Sequence, residues 1–260
     1  PGPPGDGPRR RWLTPRGEPP PPRPPPARPA PRYAATVIIN YLRNTEAAEA
    51  VVAECEAAGA QAWALQADVG SAPAVQAMMD EIILETGRID VIVNNALRPY
   101  RFDPRQRQTF DTLDWQDYQS QFDGAVGAAY HCCRAALPHF KQRGQGSIIN
   151  IASNLVEHPV VPYHDYNTAK SALVGFSRNL AAELGPYGVR VNCVAPGLVY
   201  PTDTSGSTQE AFRDALIAAT PLRRIARPQD IAGPVLFLAS DWSGFMTGQV
   251  LFVDGGLVMR

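Results

Sequence analysis

The run Ile148-Ile-Asn-Ile-Ala-Ser153, followed by Pro162-Tyr-His-Asp-Tyr166-Asn-Thr-Ala-Lys170-Ser-Ala-Leu-Val174, decides how this chain is read. The apolar positions ahead of Ser153 have the composition of a buried strand. Tyr166 and Lys170 are four apart, so on the helix expected over 163–184 they share one face, a turn from each other. A serine leaving a strand and a tyrosine–lysine pair entering a helix can meet at one point in space.

The same alternation extends in both directions. Ahead of it, strands are expected at 35–41, 62–67 and 89–93. Between and after these, helices are expected over 44–58, with Gly59 as its stop, and from Ser71, with Pro73 in its first turn, to Gly87. A longer helix is predicted over 115–137, stopped by Pro138. Beyond Leu184, Gly185-Pro186 breaks the helix and 189–194 reads as another buried strand. A Thr-, Ser-, Gly- and Pro-rich lid follows at 198–208, then helices at 209–220 and 228–239 and a last strand at 250–253. Strands alternating with helices imply an α/β fold, a doubly wound parallel sheet of Rossmann-like type in a single domain.

Composition sets the outer limits. The chain has 260 residues, 45% of them hydrophobic and 19% charged, with a net charge of −1. That balance suggests neither a nucleic-acid nor a membrane-surface partner. No apolar run approaches the ~20 residues of a membrane span, and no signal-peptide core is present, so a cytoplasmic protein is expected. The four cysteines, Cys55, Cys132, Cys133 and Cys193, lack Cys-x-x-Cys spacing, which favours reduced thiols over a disulfide frame or a zinc site.

Residues 1–32 are foreign to the rest. They hold fourteen of the 26 prolines and seven arginines, against two acids, Asp6 and Glu18. Such a tract cannot build a hydrogen-bonded core, and disorder or polyproline II is expected. Arg23-Pro-Pro-Pro26-Ala-Arg-Pro29 has an SH3-ligand pattern. An inert linker and a GC-rich gene translated out of frame are the other two readings. The chain begins at Pro1 rather than Met, as a fragment or a processed product would. The expected boundaries are 1–33 for this segment and 34–260 for the folded domain.

Four strand ends carry small or polar residues: Asp68, Asn94-Asn95-Ala96, Ser153 and Pro196-Gly197. Ligands of open parallel sheets bind beyond such ends. Each has a plain alternative as a turn or cap. At Ser153, Tyr166 and Lys170 the chemistry is more specific. A phenol with a pKa of about 10 exchanges its proton poorly near neutrality. An adjacent ammonium favours the phenolate, and a serine hydroxyl can donate to a carbonyl oxygen as charge develops there. The trio suits ketone reduction or alcohol oxidation, although Tyr-x-x-x-Lys alone occurs by chance in many helices.

Taken in order, Ser153, Tyr166, Lys170, Asn192-Cys-Val-Ala-Pro196-Gly197, Thr247-Gly248-Gln249 and Val253-Asp254-Gly255-Gly256 resemble the short-chain dehydrogenase/reductase superfamily. Arg227-Pro-Gln-Asp230-Ile-Ala and Phe237-Leu-Ala-Ser-Asp241 place the likeness nearest its 3-oxoacyl-(acyl-carrier-protein) reductase-like group, and it runs from about Ala34 to the C-terminus. The resemblance implies an NAD(P)-dependent oxidoreductase of fatty acid metabolism type, reducing the carbonyl of a small molecule or an acyl thioester, and a homotetramer built partly on the helices at 115–137 and 163–184. By it, Tyr166 is the acid/base, Lys170 lowers its pKa and holds the nicotinamide ribose, and Ser153 orients the carbonyl. Asp68 and Val69 would touch adenine, Asn94 and Ala96 the ribose side, and Pro196 and Gly197 the nicotinamide. Asn40 stands where an acid would mark NAD preference; with no acid there and Arg43 nearby, NADPH is favoured over NADH.

The likeness has gaps. The family's opening strand, Thr-Gly-x-x-x-Gly-x-Gly turn and helix cradle the cofactor's pyrophosphate; here the proline–arginine tract lies in that region. The missing strand would be central, so its loss should expose ladder groups on both neighbours. An out-of-frame N-terminus is the preferred explanation, tested by translating the other two frames. Asn-Asn-Ala-Gly becomes Asn94-Asn95-Ala96-Leu97, and 122–130 lacks the asparagine that commonly anchors a proton-relay water. A catalytically impaired relative serving as a binding or oligomerisation module is therefore the alternative function. A hydrolase using Ser153 with His158 or His164 and Asp165 is a poor third, because no Gly-x-Ser-x-Gly elbow surrounds the serine.

Overall fold

The computed structural model describes residues 35–98, 100, 102–202, 204–206 and 208–259. The proline–arginine tract, with the whole segment expected at 1–33, and parts of the expected lid therefore lie outside the described residues. The folded unit, Thr36–Arg260, alternates strand and helix as expected.

The β-branched run Thr36–Tyr41 forms β1, and α1 (Thr45–Ala57) follows, capped by the Asn44 carbonyl accepting the Ala47 N–H at 3.0 Å. β2 (Gln61–Gln66) leads to α2 (Ala72–Thr86), which ends on Gly87 at a φ of 71°, a conformation that favours glycine. Ser71 occupies the N-cap of α2, but its side chain makes no cap hydrogen bond. β3 (Val91–Asn94) is shorter than expected.

The long helix differs most from expectation. It consists of α3 (Trp115–Phe122), a π-helical turn at Asp123–Gly127, and α4 (Ala128–Arg143). Pro138 sits inside α4 and does not stop it. Proline removes one N–H and crowds the preceding turn, but fully buried Phe140 anchors the helix beyond it. The stop is Gly144, at a φ of 68°. Then come β4 (Gly146–Ile151), α5 (His164–Leu184), β5 (Val189–Pro196), α6 (Glu210–Ala219), α7 (Pro228–Ala239) and β6 (Val250–Val253). β5 runs two residues past the expected end, because Ala195 and Pro196 stay in register with Phe252 and Val253.

All strand pairs are parallel, and they form two sheets: β1-β2 and β3-β4-β5-β6. Among the described residues, β1 has no ladder partner on its side away from β2, and β3 has none on its side away from β4. A single helical layer nevertheless serves both sheets. Val75, Met78, Met79 and Ile82 of α2 and Cys132, Ala136 and Phe140 of α4 share one cluster with Ile92 and Ile148, against which Ile38 and Leu65 pack. The second face of the larger sheet is covered by α7, whose Leu238 lies against Ile149 and Val194.

Candidate functional site

The site forms where β4 ends. The Ala152 N–H donates to the Val194 carbonyl at 2.8 Å, so the ladder holds up to the residue before Ser153. Ser153 is extended and opens a short 3-10 turn, its Oγ accepting the Leu155 N–H at 3.2 Å. From the other side comes α5, whose buried positions Tyr166, Ala169, Lys170, Leu173, Val174, Ser177, Ala181 and Leu184 recur at helical spacing. Lys170 Nζ donates to the Ile151 carbonyl at 2.6 Å, pinning the helix to the last residue of β4, and lies 5.8 Å from the centroid of the Tyr166 ring. Ser153, Tyr166 and Lys170 are all buried and close together.

A row of buried polar groups supports this corner. Asn94, Asn150 and Cys193 are register partners on β3, β4 and β5. Asn94 Nδ2 donates to Asn150 Oδ1 at 2.7 Å, and Asn150 Nδ2 donates to Ser177 Oγ at 2.7 Å. Ser177 in turn donates to the Leu173 carbonyl, and the Cys193 thiol donates to Ser177. Satisfied in this way, the row rigidifies the strands beneath α5. Behind Gly197, the Asp254 carboxylate accepts from Asn154 Nδ2 and from the Gly256 and Val258 N–H groups.

Electrostatics depart from the expectation for the phenol. Burial pushes the Tyr166 hydroxyl up to about 12, and a hydrogen bond with Ser153 offsets only part of that rise. Burial pushes Lys170 down to about 8, partly opposed by Cys193. Burial, not the lysine neighbour expected to lower Tyr166, sets the direction here, because desolvation disfavours both charged forms. Tyr166 is held as the neutral acid.

The other nominated residues lie at strand ends, with varied engagements. Asn40, near the end of β1, donates through Nδ2 to the carbonyls of Leu65 and Ala67, so its amide ties β1 to β2. Arg43 is exposed. Asp68 caps its own turn, accepting the Gly70 N–H at 2.8 Å, and Val69 packs on the shared cluster. Asn94 belongs to the polar row, whereas Ala96 is exposed. Pro196 and Gly197 end β5, where the Gly197 N–H donates to the Val253 carbonyl and a Cβ would come within 2.9 Å of Asp254 Cβ. A cavity of about 170 Å³ is walled by Gly197, Leu198, Leu216, Leu222 and Leu257 among others, and none of the trio lines it.

Residues outside the expected set also enter the site. Tyr100 and Phe102 lay their rings against Tyr166, with centroids 5.3 and 5.0 Å away, and both meet the Tyr163 ring edge-on. The Tyr100 hydroxyl donates to Asp165 Oδ1 at 2.8 Å. Their signal in the sequence is two aromatics in an otherwise charged stretch. Gln121, buried on α3 one position ahead of 122–130, is the polar side chain of the long helix nearest its π-helical turn, a feature frequent at functional sites. Among the described residues Ser153 hydrogen-bonds with Leu155 and Tyr166, not with a histidine, and Asp165 is engaged by Tyr100. That geometry removes the hydrolase arrangement.

A strand-end serine, a buried tyrosine–lysine turn and a parallel sheet define a nucleotide-dependent oxidoreductase fold. The family model described as enoyl-(acyl carrier protein) reductase matches residues 27–258, and the chain belongs to the short-chain dehydrogenase/reductase family. It is 32% identical over 223 residues to the 3-oxoacyl-(acyl-carrier-protein) reductase FabG of Staphylococcus aureus strain Mu50, covering 86% of this chain and 88% of that protein. An uncharacterised oxidoreductase of Methylorubrum extorquens is 37% identical over 225 residues, with the same coverage of 86% and 88%. Among solved structures, a gluconate 5-dehydrogenase from Burkholderia cenocepacia, crystallised with NADP and tartrate, superposes with a TM-score of 0.76 at 31% identity, covering 85% of this chain and 84% of that one.

Tyr166 and Lys170 stand over the end of β4, and Pro196 and Gly197 follow at the end of neighbouring β5, a strand-end corner that fits one end of a dinucleotide cofactor. For the pyrophosphate, the described residues include no Thr-Gly-x-x-x-Gly-x-Gly turn leading into a helix.

Proposed function

We propose that this protein is an NADPH-dependent reductase that converts a carbonyl to an alcohol, with a 3-oxoacyl thioester as the first substrate class to test. The observation that carries the reading is the meeting of Ser153, Tyr166 and Lys170 in one buried corner of a short-chain dehydrogenase/reductase fold. When bound, the cofactor supplies a hydride. Ser153 Oγ and Tyr166 Oη donate to the carbonyl oxygen, and Tyr166, held as a neutral acid, gives up its proton to that oxygen. Lys170 steadies the phenolate left behind. Asn94, Ala96, Pro196 and Gly197, with Asn40, Arg43, Asp68 and Val69 at the far end, are the residues assigned to the cofactor. Arg43 and the absence of an acid at Asn40 support NADPH, and the NADP-bound dehydrogenase among the structural relatives supports the same choice.

The reading extends to the whole chain: a catalytic domain over 34–260 preceded by the 1–33 segment, acting in the cytoplasm. Four unpaired thiols support a reducing compartment, and no helix among the described residues is long and apolar enough to cross a membrane. A homotetramer is supported by large apolar side chains left exposed on the long helix, Trp115 on α3 and Tyr130 on α4.

One observation favours a second reading, a relative impaired in catalysis that serves as a binding or oligomerisation module. Among the described residues β1 and β3 each keep an unpaired edge, and the sequence ahead of β1 holds no Thr-Gly-x-x-x-Gly-x-Gly turn to take the cofactor's phosphates. NADPH titration and NADPH consumption with a 3-oxoacyl thioester separate the two. Both are run on this chain and on a version carrying a glycine-rich strand–helix unit ahead of Ala35. Weak or absent NADPH binding is expected for the first, and steady turnover for the second. If the second version binds NADPH yet turns over no carbonyl substrate, the reductase reading falls.

A further inference from the structure

We infer that Tyr100 and Phe102 select the substrate, and that they select a ketone whose carbonyl is joined to a flat, unsaturated group, such as an aryl or conjugated cyclic ketone. The inference rests on Tyr166 being the proton donor. It names the group expected beside the carbonyl, which the trio itself leaves open.

Two rings lie against the tyrosine that must reach the carbonyl, and a third packs on those two. Tyr100 lies tilted by 33° to the Tyr166 ring at 5.3 Å, and Phe102 meets it edge-on, at 87° and 5.0 Å. Tyr163 backs both, at 5.8 and 5.5 Å. Leu97, Leu155, Val161 and Phe212 close the sides. Two buried carboxylates lie at the cluster: Asp103 acts on Tyr163, and Asp165 is engaged by the Tyr100 hydroxyl at 2.8 Å. A buried carboxylate needs such a donor, and a buried tyrosine hydroxyl needs an acceptor. Each therefore fixes the other, and the Tyr100 ring is held against Tyr166 rather than free to swing away.

Any group entering beside the Tyr166 hydroxyl replaces ring-to-ring contacts spaced at 5.0–5.3 Å. A flat unsaturated group re-forms offset or edge-to-face contacts with Tyr100, Phe102 and Tyr166. A flexible alkyl chain re-forms fewer of them and loses rotamer freedom on ordering. Apolar selection of this kind discriminates by roughly tenfold or more.

Binding tests this without any need for turnover. The full chain is titrated by ligand-observed NMR with α-tetralone and with a straight-chain decanone, ketones of equal carbon count. About tenfold tighter binding of α-tetralone is expected. Phe102→Leu and Tyr100→Leu should each remove most of that preference, weakening α-tetralone more than decanone. Equal binding of the two ketones by the unaltered chain, or no binding of α-tetralone, overturns the inference however the variants fold. Turnover is scored separately, on the version with the glycine-rich unit. Reduction of a straight-chain 3-oxoacyl thioester as efficient as that of α-tetralone leaves the reductase reading intact and overturns the aromatic selection. A clear binding preference with no reduction of any ketone upholds the selection and removes the reductase reading.

Discussion

The two sheets are built from the same kind of strand and are buried very differently. No residue of β1 or β2 is fully buried, although both runs are rich in apolar side chains. In β4 and β5 the central residues are nearly all buried, with Ile148, Ile149, Val191 and Val194 at 0% exposure. Composition does not explain the contrast, since Thr36–Tyr41 is as β-branched as Gly146–Ile151. Neighbours do. β4 and β5 each have a strand on both sides and helices on both faces, whereas among the described residues β1 is paired on one side only. Ser153, Tyr166 and Lys170 meet at the end of β4, on the side where pairing is complete.

The contrast can be broken or sharpened experimentally. The largest effect is expected at the chemistry. In the version carrying the glycine-rich unit, Tyr166→Phe should reduce turnover by roughly a thousandfold while sparing NADPH affinity, as loss of a general acid does; steady-state kinetics with retained activity would remove Tyr166 from its role. Next comes the core under the larger sheet. Phe140→Ala should lower stability by about 4 kcal/mol in urea unfolding, and a loss below about 1 kcal/mol would mean that α4 does not depend on this anchor beyond Pro138.

The buried lysine is third. The folded protein holds the Lys170 proton less tightly than the unfolded chain, with a value of about 8 against 10.5. Between those values the unfolded state carries more protons, so stability rises with pH across the window, by about 3 kcal/mol in all. The burial penalty is in full force below about pH 8. Subtracting the unfolding curves of Lys170→Met from those of the parent isolates this term, and a flat difference from pH 8 to 10.5 would refute it. The smallest effect compares the sheets directly. Ile148→Val in β4 should cost about 1.5 kcal/mol and Ile38→Val in β1 about 0.5 kcal/mol; equal costs would erase the distinction drawn between the two.

Much of the architecture was legible from periodicity. The buried face of α5 repeats at 3.6 residues, and α7 and β6 begin and end where their signals say. The trio was legible because its spacing is local, four residues on one helix plus a strand end. Pro138 misleads because a local rule about one missing N–H competes with the burial of Phe140, which only the packed structure reveals. The Asn94–Asn150–Cys193 row depends on register between three strands, and no single strand carries that information. The Tyr100–Asp165 pair joins residues 65 positions apart. The upward shift of Tyr166 is not legible in the sequence, because a neighbouring charge shows in spacing whereas desolvation is a property of the finished fold.

The unpaired flanks of β1 and β3 also bear on how the chain behaves among other chains. Natural sheets blunt an open edge with charges, prolines or bulges. Thr36–Tyr41 and Val91–Asn94 contain neither a charged residue nor a proline. Among the described residues each leaves a row of backbone donors and acceptors without a ladder partner, beside apolar side chains such as the half-exposed Val93. Such a row is a template for strand addition until a strand covers it. How long the protein stays dispersed therefore depends on what covers these two edges as well as on how well its core is packed.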